Sequence, residues 1–280
     1  MTFTNVGFVA DSPAGVGNNS GESYAAFDIH LTRRVALRGC DFVQSSFSFL
    51  GTSRQAVIEG CTFRAADDAG GLLLSWGSEF LRVANNVVRD LDNSRPDGWG
   101  EGRFFVTQGP WGTNQNVYVG SNRTVNMAAR RQAANTNTGE QLLLENGTPD
   151  FRGPATAGTP KTVTVPGVSV PFDPVEYLAS AIVVSGKGVG QSRRVASIDP
   201  ATGLVTLQNA WAVVPDATSV IVIGRDSTQI AVVENDIDGK ADQVNQVENT
   251  ASTGVMVWGM SHGVVVADNR ITDVRVGVIV

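Results

Sequence analysis

Five side chains of this sequence could carry acid–base chemistry. Asp97, Glu101 and Arg103 stand together in one long polar stretch, Glu145 closes an apolar segment, and His30 lies in a short alternating one. A pair of carboxyl groups can protonate a leaving-group oxygen and activate a water molecule during glycosidic cleavage. These five residues are therefore the candidate catalytic set.

Three tryptophans are candidates for binding a substrate. Trp99 and Trp111 belong to the same polar region, and Trp258 stands in the alternating segment GVMVWG. An aromatic face offers a large apolar area on which a sugar ring can stack. These three tryptophans are therefore the candidate substrate-binding residues.

Structural roles stay open for several of these residues. Trp258 can instead pack between neighbouring repeats, and His30 can be an ordinary solvated surface residue. Glu145, together with Glu140, can orient the segment that follows it.

No metal or cofactor site is indicated. Cys40 and Cys61 lack the spacing of zinc ligands, and they are too few for a disulfide framework. We expect both to be buried free thiols. The glycine-rich run 186–190 precedes a strand rather than a helix, which predicts a hairpin turn and not a phosphate-binding loop.

Composition favours an all-β protein that does not bind nucleic acid. Charged residues make up 17% of the chain and there are 31 glycines, which suits strands and turns better than solvated helices. The net charge of −6 argues against a basic surface for nucleic acid. No apolar run is long enough to span a membrane, and no secretory signal opens the sequence.

One eight-residue pattern recurs along the chain: apolar, any, apolar, any, any, Asn or Cys, any, apolar. Its copies, with a weaker one at 117–124, are VALRGCDF (35–42), AVIEGCTF (56–63), LRVANNVV (81–88), IAVVENDI (230–237) and VVVADNRI (264–271). A second apolar alternation precedes each copy, so one unit comprises two strands, a corner residue and a short strand.

Stacking of these units would bury a shared core, with parallel strands about 4.8 Å apart. An asparagine at the corner tolerates left-handed backbone angles, and its amide can bond the units above and below. A β-sandwich is the alternative fold, but its strands do not repeat one corner residue at one offset. The corner residues should therefore form a single file of Cys40, Cys61, Asn86, Asn122, Asn235 and Asn269.

The repeat also divides the chain. Residues 1–146 and 227–280 are predicted to form a right-handed parallel β-helix, and residues 147–162 a linker. Residues 163–226 are predicted to form a small inserted β-module, barrel-like or sandwich-like. Neither end of the chain has a capping segment, so we expect a fragment of a longer β-helix.

The corner motifs GCDF, GCTF, ENDI and DNRI resemble those of the pectin-lyase-like right-handed parallel β-helix superfamily. The resemblance implies the fold but not an activity, because the superfamily includes lyases, glycoside hydrolases, epimerases, tailspikes and adhesins. It also implies a sugar-binding groove on the outer face of one sheet, beneath long loops. The outward positions on that face would be Asp28, His30, Ser75, Gln108, Glu145 and Trp258.

The expected function is that of a secreted or surface-exposed protein that binds a polysaccharide, with cleavage by a hydrolase or lyase mechanism left open. Segments of the vWIDH and RxPxxR types are missing, so no particular activity is indicated. The alternative is a non-enzymatic module of an adhesin or a phage tailspike, which would form a homotrimer. No cofactor is expected in either case.

Overall fold

The computed structural model describes residues 1–9, 27–30, 33–43, 47–50, 54–64, 73–75, 77–90, 103–108, 114–127, 140–145, 147, 149–240 and 252–280. At residues 27–30, 47–50, 74 and 108 it describes the backbone alone. Every regular element in this part of the chain is a β-strand, and the strands are numbered here in chain order. They form three parallel sheets and one antiparallel sheet.

The first parallel sheet contains the strands that carry the start of the repeated pattern. Its order is β1 (Thr2–Thr4), β4 (Arg33–Arg38), β7 (Arg54–Glu59), β10 (Glu79–Ala84), β13 (Gln115–Gly120), β23 (Ser227–Val233) and β26 (Ser261–Ala267). In β4 and β7, Val35, Leu37, Ala56 and Ile58 face the buried core and alternate with more exposed side chains, as period-two apolar patterning requires.

The second and third parallel sheets repeat the same strand order. The second contains β2 (Gly7–Val9), β5 (Asp41–Val43), β8 (Thr62–Arg64), β11 (Val87–Arg89), β14 (Arg123–Val125), β24 (Asp236–Asp238) and β27 (Arg270–Thr272). The third contains β3 (Phe27–His30), β6 (Phe47–Leu50), β9 (Leu73–Ser75), β12 (Phe105–Gln108), β15 (Glu140–Glu145), β25 (Thr253–Trp258) and β28 (Val276–Ile279).

The predicted file of corner residues is confirmed. Asn86 donates its backbone N–H and its amide to Oδ1 of Asn122, at 3.1 and 2.9 Å. Asn122 donates in the same way to Asn235, and Asn235 to Asn269. At the other end the backbone N–H of Cys61 donates to Oδ1 of Asn86 at 2.9 Å. The ladder bonds successive units to one another inside the core.

The left-handed backbone angle falls on a different residue than predicted. Two residues separate the first-sheet strand from the second-sheet strand in every unit, and the first of the two has positive φ. These residues are Asn5, Gly39, Gly60, Asn85, Ser121, Glu234 and Asp268, with φ between 54° and 66°. Because the turn is made one residue earlier, the ladder asparagine keeps its side chain directed along the stack.

Aromatic side chains fill the end of the core near the N-terminus. The rings of Phe8, Phe42 and Phe63 stack with centroids 4.6 and 4.5 Å apart. Phe42 and Phe63 occupy the same position in parallel-paired strands, so the repeat itself brings their rings together. Cys40 and Cys61 are free and buried, as expected, and burial raises the pKa of the Cys61 thiol to about 11.

An antiparallel sheet interrupts the repeat between β15 and β23. Its order is β16 (Pro149–Pro154), β22 (Val220–Gly224), β19 (Ser180–Ser185), β20 (Ser192–Asp199), β21 (Leu204–Leu207), β18 (Thr162–Thr164) and β17 (Ala157–Thr159). It encloses its own core, which includes Val183, Val205 and Ile221. The turn between β19 and β20 is the predicted hairpin, since these two strands pair antiparallel.

The expectation of a linker over residues 147–162 is wrong. Strands β16 and β17 lie in this range, and they form the two edges of the antiparallel sheet. Their backbone groups bond to β22 and β18, which gives a Gly-, Pro- and Thr-rich segment regular structure at an edge. Only Ala155 and Thr156 separate them, so one continuous segment supplies both edges.

Arg194 joins the antiparallel sheet to the first sheet. Its guanidinium donates to Oε1 of Gln115 at 3.1 and 2.8 Å and to the carbonyl oxygen of Leu178, and it lies 3.5 Å from a carboxylate oxygen of Glu79. Nearby, Asp226 is fully buried, and neither of its carboxylate oxygens has a hydrogen bond of normal geometry among the described residues. Burial raises the pKa of Asp226 to about 6, against the opposing effects of the Ser180 hydroxyl and the charges of Arg194 and His262.

Asp226→Asn is expected to stabilise the protein at neutral pH. A carboxyl whose pKa is raised on folding contributes stability below its unfolded value of 3.8 and loses it as the pH rises through about 6. At pH 8 the substitution should raise the free energy of unfolding by on the order of 2–3 kcal/mol, and the gain should fall towards zero near pH 4. Urea unfolding at both pH values measures this, with Glu176→Gln, at an exposed carboxylate, as control. A variant less stable than the wild type at pH 8 would contradict the assignment.

Candidate functional site

The ends of three neighbouring strands in the third sheet form one row. Gln108 of β12 pairs with Glu145 of β15, and Glu145 pairs with Trp258 of β25. Leu142 and Leu144 belong to the core, so alternation directs Glu145 to the opposite, outer face. Trp258 is 49% exposed and lies one strand spacing from Glu145. An open aromatic side chain and a carboxyl group are thus neighbours on this face.

A buried ion pair lies at the other end of the same strands. Phe105 of β12 pairs in register with Leu142 of β15. Arg103 stands two residues before Phe105, and Glu140 stands two residues before Leu142. Both Nε and Nη2 of Arg103 lie 3.1 Å from Oε2 of Glu140. Both side chains are almost completely buried. The pair therefore fixes the start of β15 against the residues that lead into β12.

Between the ion pair and Glu145 the outer face is apolar. Val106, Leu143 and Met256 occupy adjacent register positions and form a small cluster separate from the main core. Val106 and Leu143 are buried. Glu145 thus projects from a strand whose preceding outward position is apolar and shielded from water.

Burial raises the pKa of Glu145. The positive charge of Arg103 lowers this pKa, and the negative charge of Glu140 raises it, so the two members of the ion pair act on Glu145 in opposite directions. A carboxyl with a raised pKa keeps its proton at higher pH, which is the property that a general acid needs. Glu140 is held by Arg103 and is not a free second carboxylate.

The structure brings together three of the predicted site residues. Arg103, Glu145 and Trp258 belong to adjacent strands or their approaches, whereas His30 lies on β3, four strands from β15 in the third sheet. Each unit adds one strand to the sheet, and neighbouring strands lie about 4.8 Å apart, so β3 and β15 are separated by roughly 19 Å. Asp97, Glu101, Trp99 and Trp111 lie outside the described residues.

Two expectations about this face need correction. Ser75 does not point outward: it is fully buried, and its hydroxyl donates to Oδ1 of Asn114 at 2.7 Å. Arg103, which was expected to act at the site as part of a long polar stretch, is instead buried by its pairing with Glu140. In both cases a polar side chain is buried because it has a specific partner.

Sequence reasoning did not include Glu140 in the site. The position of Glu140 at the start of the segment EQLLLE, which ends at Glu145, could have indicated it. Its partner Arg103 lies 37 residues away in the sequence. His262 lies on β26 in register with Thr228 and lines a pocket beside the antiparallel sheet. No local pattern in the sequence indicates either contact.

Comparisons with known proteins add no assignment. No protein-family model matches this chain, and searches of curated proteins and of solved structures give no match. Among the described residues, no three His, Cys, Asp or Glu side chains are grouped as metal ligands. That same part of the chain includes no helix of the length and apolarity needed to cross a membrane.

Proposed function

We propose that this protein is a right-handed parallel β-helix with a small inserted barrel-like module, related to the pectin-lyase-like superfamily, and that it binds a polysaccharide. Three parallel sheets with the same strand order support the fold, as do the two-residue corners and the asparagine ladder. The expected ligands are polysaccharides outside the cell, so the proposal includes a secreted or surface-exposed location.

The observation that carries the binding function is the pairing of Trp258 with Glu145. About half of Trp258 is exposed on the face of the sheet, which offers an apolar ring surface on which a sugar can stack. The neighbouring carboxyl group can bond a sugar hydroxyl in either protonation state. Strand ends in one row suit an extended chain of sugars.

Glu145 also gives the site a group for acid catalysis. Burial raises its pKa, and a raised pKa favours the protonated form that a general acid needs to transfer a proton to a glycosidic oxygen. A hydrolase would release reducing ends, whereas a lyase would release unsaturated products that absorb light. Measuring both kinds of product therefore distinguishes hydrolysis, elimination and binding without cleavage.

The first experiment is a panel of acidic and neutral polysaccharides tested for binding and for both kinds of product. Trp258→Ala should weaken binding of the recognised polymer about tenfold or more, and Trp258→Phe should retain most of it. Val265→Ala is the matched control, because Val265 is 53% exposed but lies on the first sheet. If a cleavage product forms, Glu145→Gln should abolish it.

The proposal fails if no polysaccharide binds, or if Trp258→Ala binds as tightly as the wild type. Binding without products by a homotrimer would instead support the tailspike-like or adhesin alternative. Sedimentation of the wild-type protein measures the oligomeric state independently of the binding assay.

A further inference from the structure

The outer face of the first sheet concentrates positive charge in a protein whose net charge is −6. As the structure describes them, its seven strands carry five arginines and only two acidic residues, Glu59 and Glu79. The strands of the second sheet are nearly balanced, with four arginines and three aspartates. The five arginines are all exposed and belong to three neighbouring strands, β4, β7 and β10. This arginine face comprises Arg33, Arg34, Arg38, Arg54 and Arg82.

Each of the two carboxylates near the arginine face is shared between two arginines. One carboxylate is Glu59, and the other is Glu79, which the buried Arg194 of the antiparallel sheet also approaches. The two sets are Arg38–Glu59–Arg82, with distances of 3.7 and 3.5 Å, and Arg54–Glu79–Arg194, with distances of 3.0 and 3.5 Å. One negative charge cannot neutralise two guanidinium groups, so positive charge remains at both sets.

Arg33 and Arg34 form no ion pair with a carboxylate among the described residues. Arg34 donates to a neutral acceptor, Oε1 of Gln55, at 3.1 Å. Arg33 pairs in register with Arg54, so two like charges stand directly opposite each other in adjacent strands. This arrangement destabilises a sheet. Strand pairing therefore does not account for the arginine face, whereas a bound anion would relieve its repulsion.

An exposed aromatic residue stands among these arginines. Phe80 is 55% exposed, and on β10 it lies between Glu79 and Leu81, the register partners of Arg54 and Ala56. Its backbone φ of 58° is in the left-handed region, which bulky side chains rarely adopt. An exposed ring beside guanidinium groups suits a ligand with both apolar ring faces and negative charges, as a chain of sugar acids has.

The dimensions of the arginine face suit a polymer better than a small anion. Strands β4 and β10 are two strand spacings apart, about 10 Å, and Arg33 and Arg38 stand five residues apart along β4, about 16 Å. Guanidinium groups spread over this area can each contact a different charged group of an extended chain. A nucleic acid is less suited, because its dense phosphates bind domains that are basic as a whole, and this chain is acidic.

We propose that the arginine face binds an anionic polysaccharide, whose charged groups pair with the exposed guanidinium groups and whose sugar rings contact Phe80. The shared chemistry is a glycan chain with repeated negative charges, and separate probes distinguish carboxylate from sulfate. The arginine face is on a different sheet from Trp258, so this proposal does not depend on the proposed function of that residue.

Calorimetric titration of the whole chain with alginate, dextran sulfate and neutral dextran tests this. At about 50 mM NaCl at least one charged polymer should bind about tenfold more tightly than dextran. Most of this preference should disappear at about 500 mM NaCl, because salt screens exposed charges. A single-stranded DNA oligonucleotide, titrated under the same conditions, should bind more weakly than the preferred polymer.

Removing two arginines should weaken this binding. Arg33→Gln combined with Arg34→Gln should weaken binding of the preferred polymer about tenfold. Glutamine is compatible with the left-handed angle there, because Gln55 has the equivalent position on β7 with a φ of 59°. The matched control is Arg123→Gln combined with Arg270→Gln, which removes the same charge from exposed arginines of the second sheet and should leave binding unchanged.

Glu59→Gln should act in the opposite direction. It releases Arg38 and Arg82 from their shared carboxylate, so the charged polymer should bind several-fold more tightly. A gain in affinity cannot result from misfolding, so this variant complements the loss expected at Arg33 and Arg34.

The proposal is overturned if neither charged polymer binds more tightly than dextran, or if the DNA oligonucleotide binds more tightly than both. An Arg33→Gln, Arg34→Gln protein that binds like the wild type, or a Glu59→Gln protein that binds more weakly, would also overturn it. Trp258→Ala should leave the salt-dependent binding unchanged, and neutral polysaccharides report on the Trp258 face alone. Failure of either proposal is therefore distinguishable from failure of the other.

Discussion

Replacing Asn122 with alanine should lower the free energy of unfolding by about 3–5 kcal/mol. The Asn122 side chain is buried and takes part in four hydrogen bonds: two received from Asn86, and one each donated to Asn235 and to the carbonyl oxygen of Val83. Alanine leaves these partners buried without replacement bonds. Each such loss costs about 1–3 kcal/mol, partly relieved by relaxation.

The comparison with other positions sharpens this prediction. Asn269 is the last residue of the ladder and is only half-buried, so Asn269→Ala should cost about half as much. Asn122→Cys introduces the residue that stands at positions 40 and 61 of the same file. It should lower the free energy of unfolding by less than alanine does, because sulfur fills the volume and is a weak hydrogen-bond acceptor. Asn209→Ala, at an exposed position, is the control. Denaturant unfolding measures all four, and a loss at Asn122 below about 1 kcal/mol would show that the ladder is not a main source of stability.

The ladder could be predicted from the sequence because its cause is local. Cys40, Cys61 and Asn86 stand at one offset within the repeated pattern, and parallel stacking converts that offset into a common position. The left-handed residue of each corner could not be assigned in the same way. Glycine, asparagine, serine, glutamate and aspartate all occupy it, so the backbone geometry there is imposed by the stack rather than by residue type.

The outer face of the third sheet could be predicted only in part. Alternation correctly puts Glu145 outside and its neighbour Leu144 in the core, and parallel stacking then pairs Glu145 with Trp258. Ser75 follows the same alternation, because Leu73 lies in the core and Ser75 pairs in register with the buried Thr107. A serine with a buried hydrogen-bond partner occupies an inward position there, which its polar residue type did not indicate. The Arg103–Glu140 pair depends on how many residues separate consecutive units, which varies along the chain and follows no residue pattern.

The pocket beside the antiparallel sheet could not be predicted, because it depends on how two independent cores pack together. Arg194 and Asp226 come from the inserted segment and its exit, whereas Gln115 and His262 come from units on either side of the insertion in sequence. Their meeting is a property of the insertion point. From its local sequence, Arg194 can be predicted only to be a strand residue.

Breaking the buried pair between Arg103 and Glu140 should cost about 3–5 kcal/mol from either side, because each substitution leaves an uncompensated buried charge. Arg103→Met and Glu140→Leu should each be strongly destabilising. The double variant should return to within about 1–2 kcal/mol of the wild type, since two apolar side chains of similar volume replace the pair. Denaturant unfolding of the four proteins gives the coupling free energy, and strictly additive losses would contradict a direct pair.

The same pair should tune Glu145, and the two single substitutions should act in opposite directions. Removing Arg103 takes away a charge that lowers the pKa of Glu145, so Arg103→Met should raise that pKa further. Glu140→Gln removes a charge that raises it, so this variant should lower the pKa of Glu145. Carboxyl chemical shifts followed against pH measure both, with Trp258→Phe as a control that changes no charge. If a cleavage activity is found, the pKa on the alkaline limb of its pH–rate profile should move with the same two signs, because a general acid must be protonated to act. Shifts of the same sign in both variants would show that Glu145 does not sense the pair.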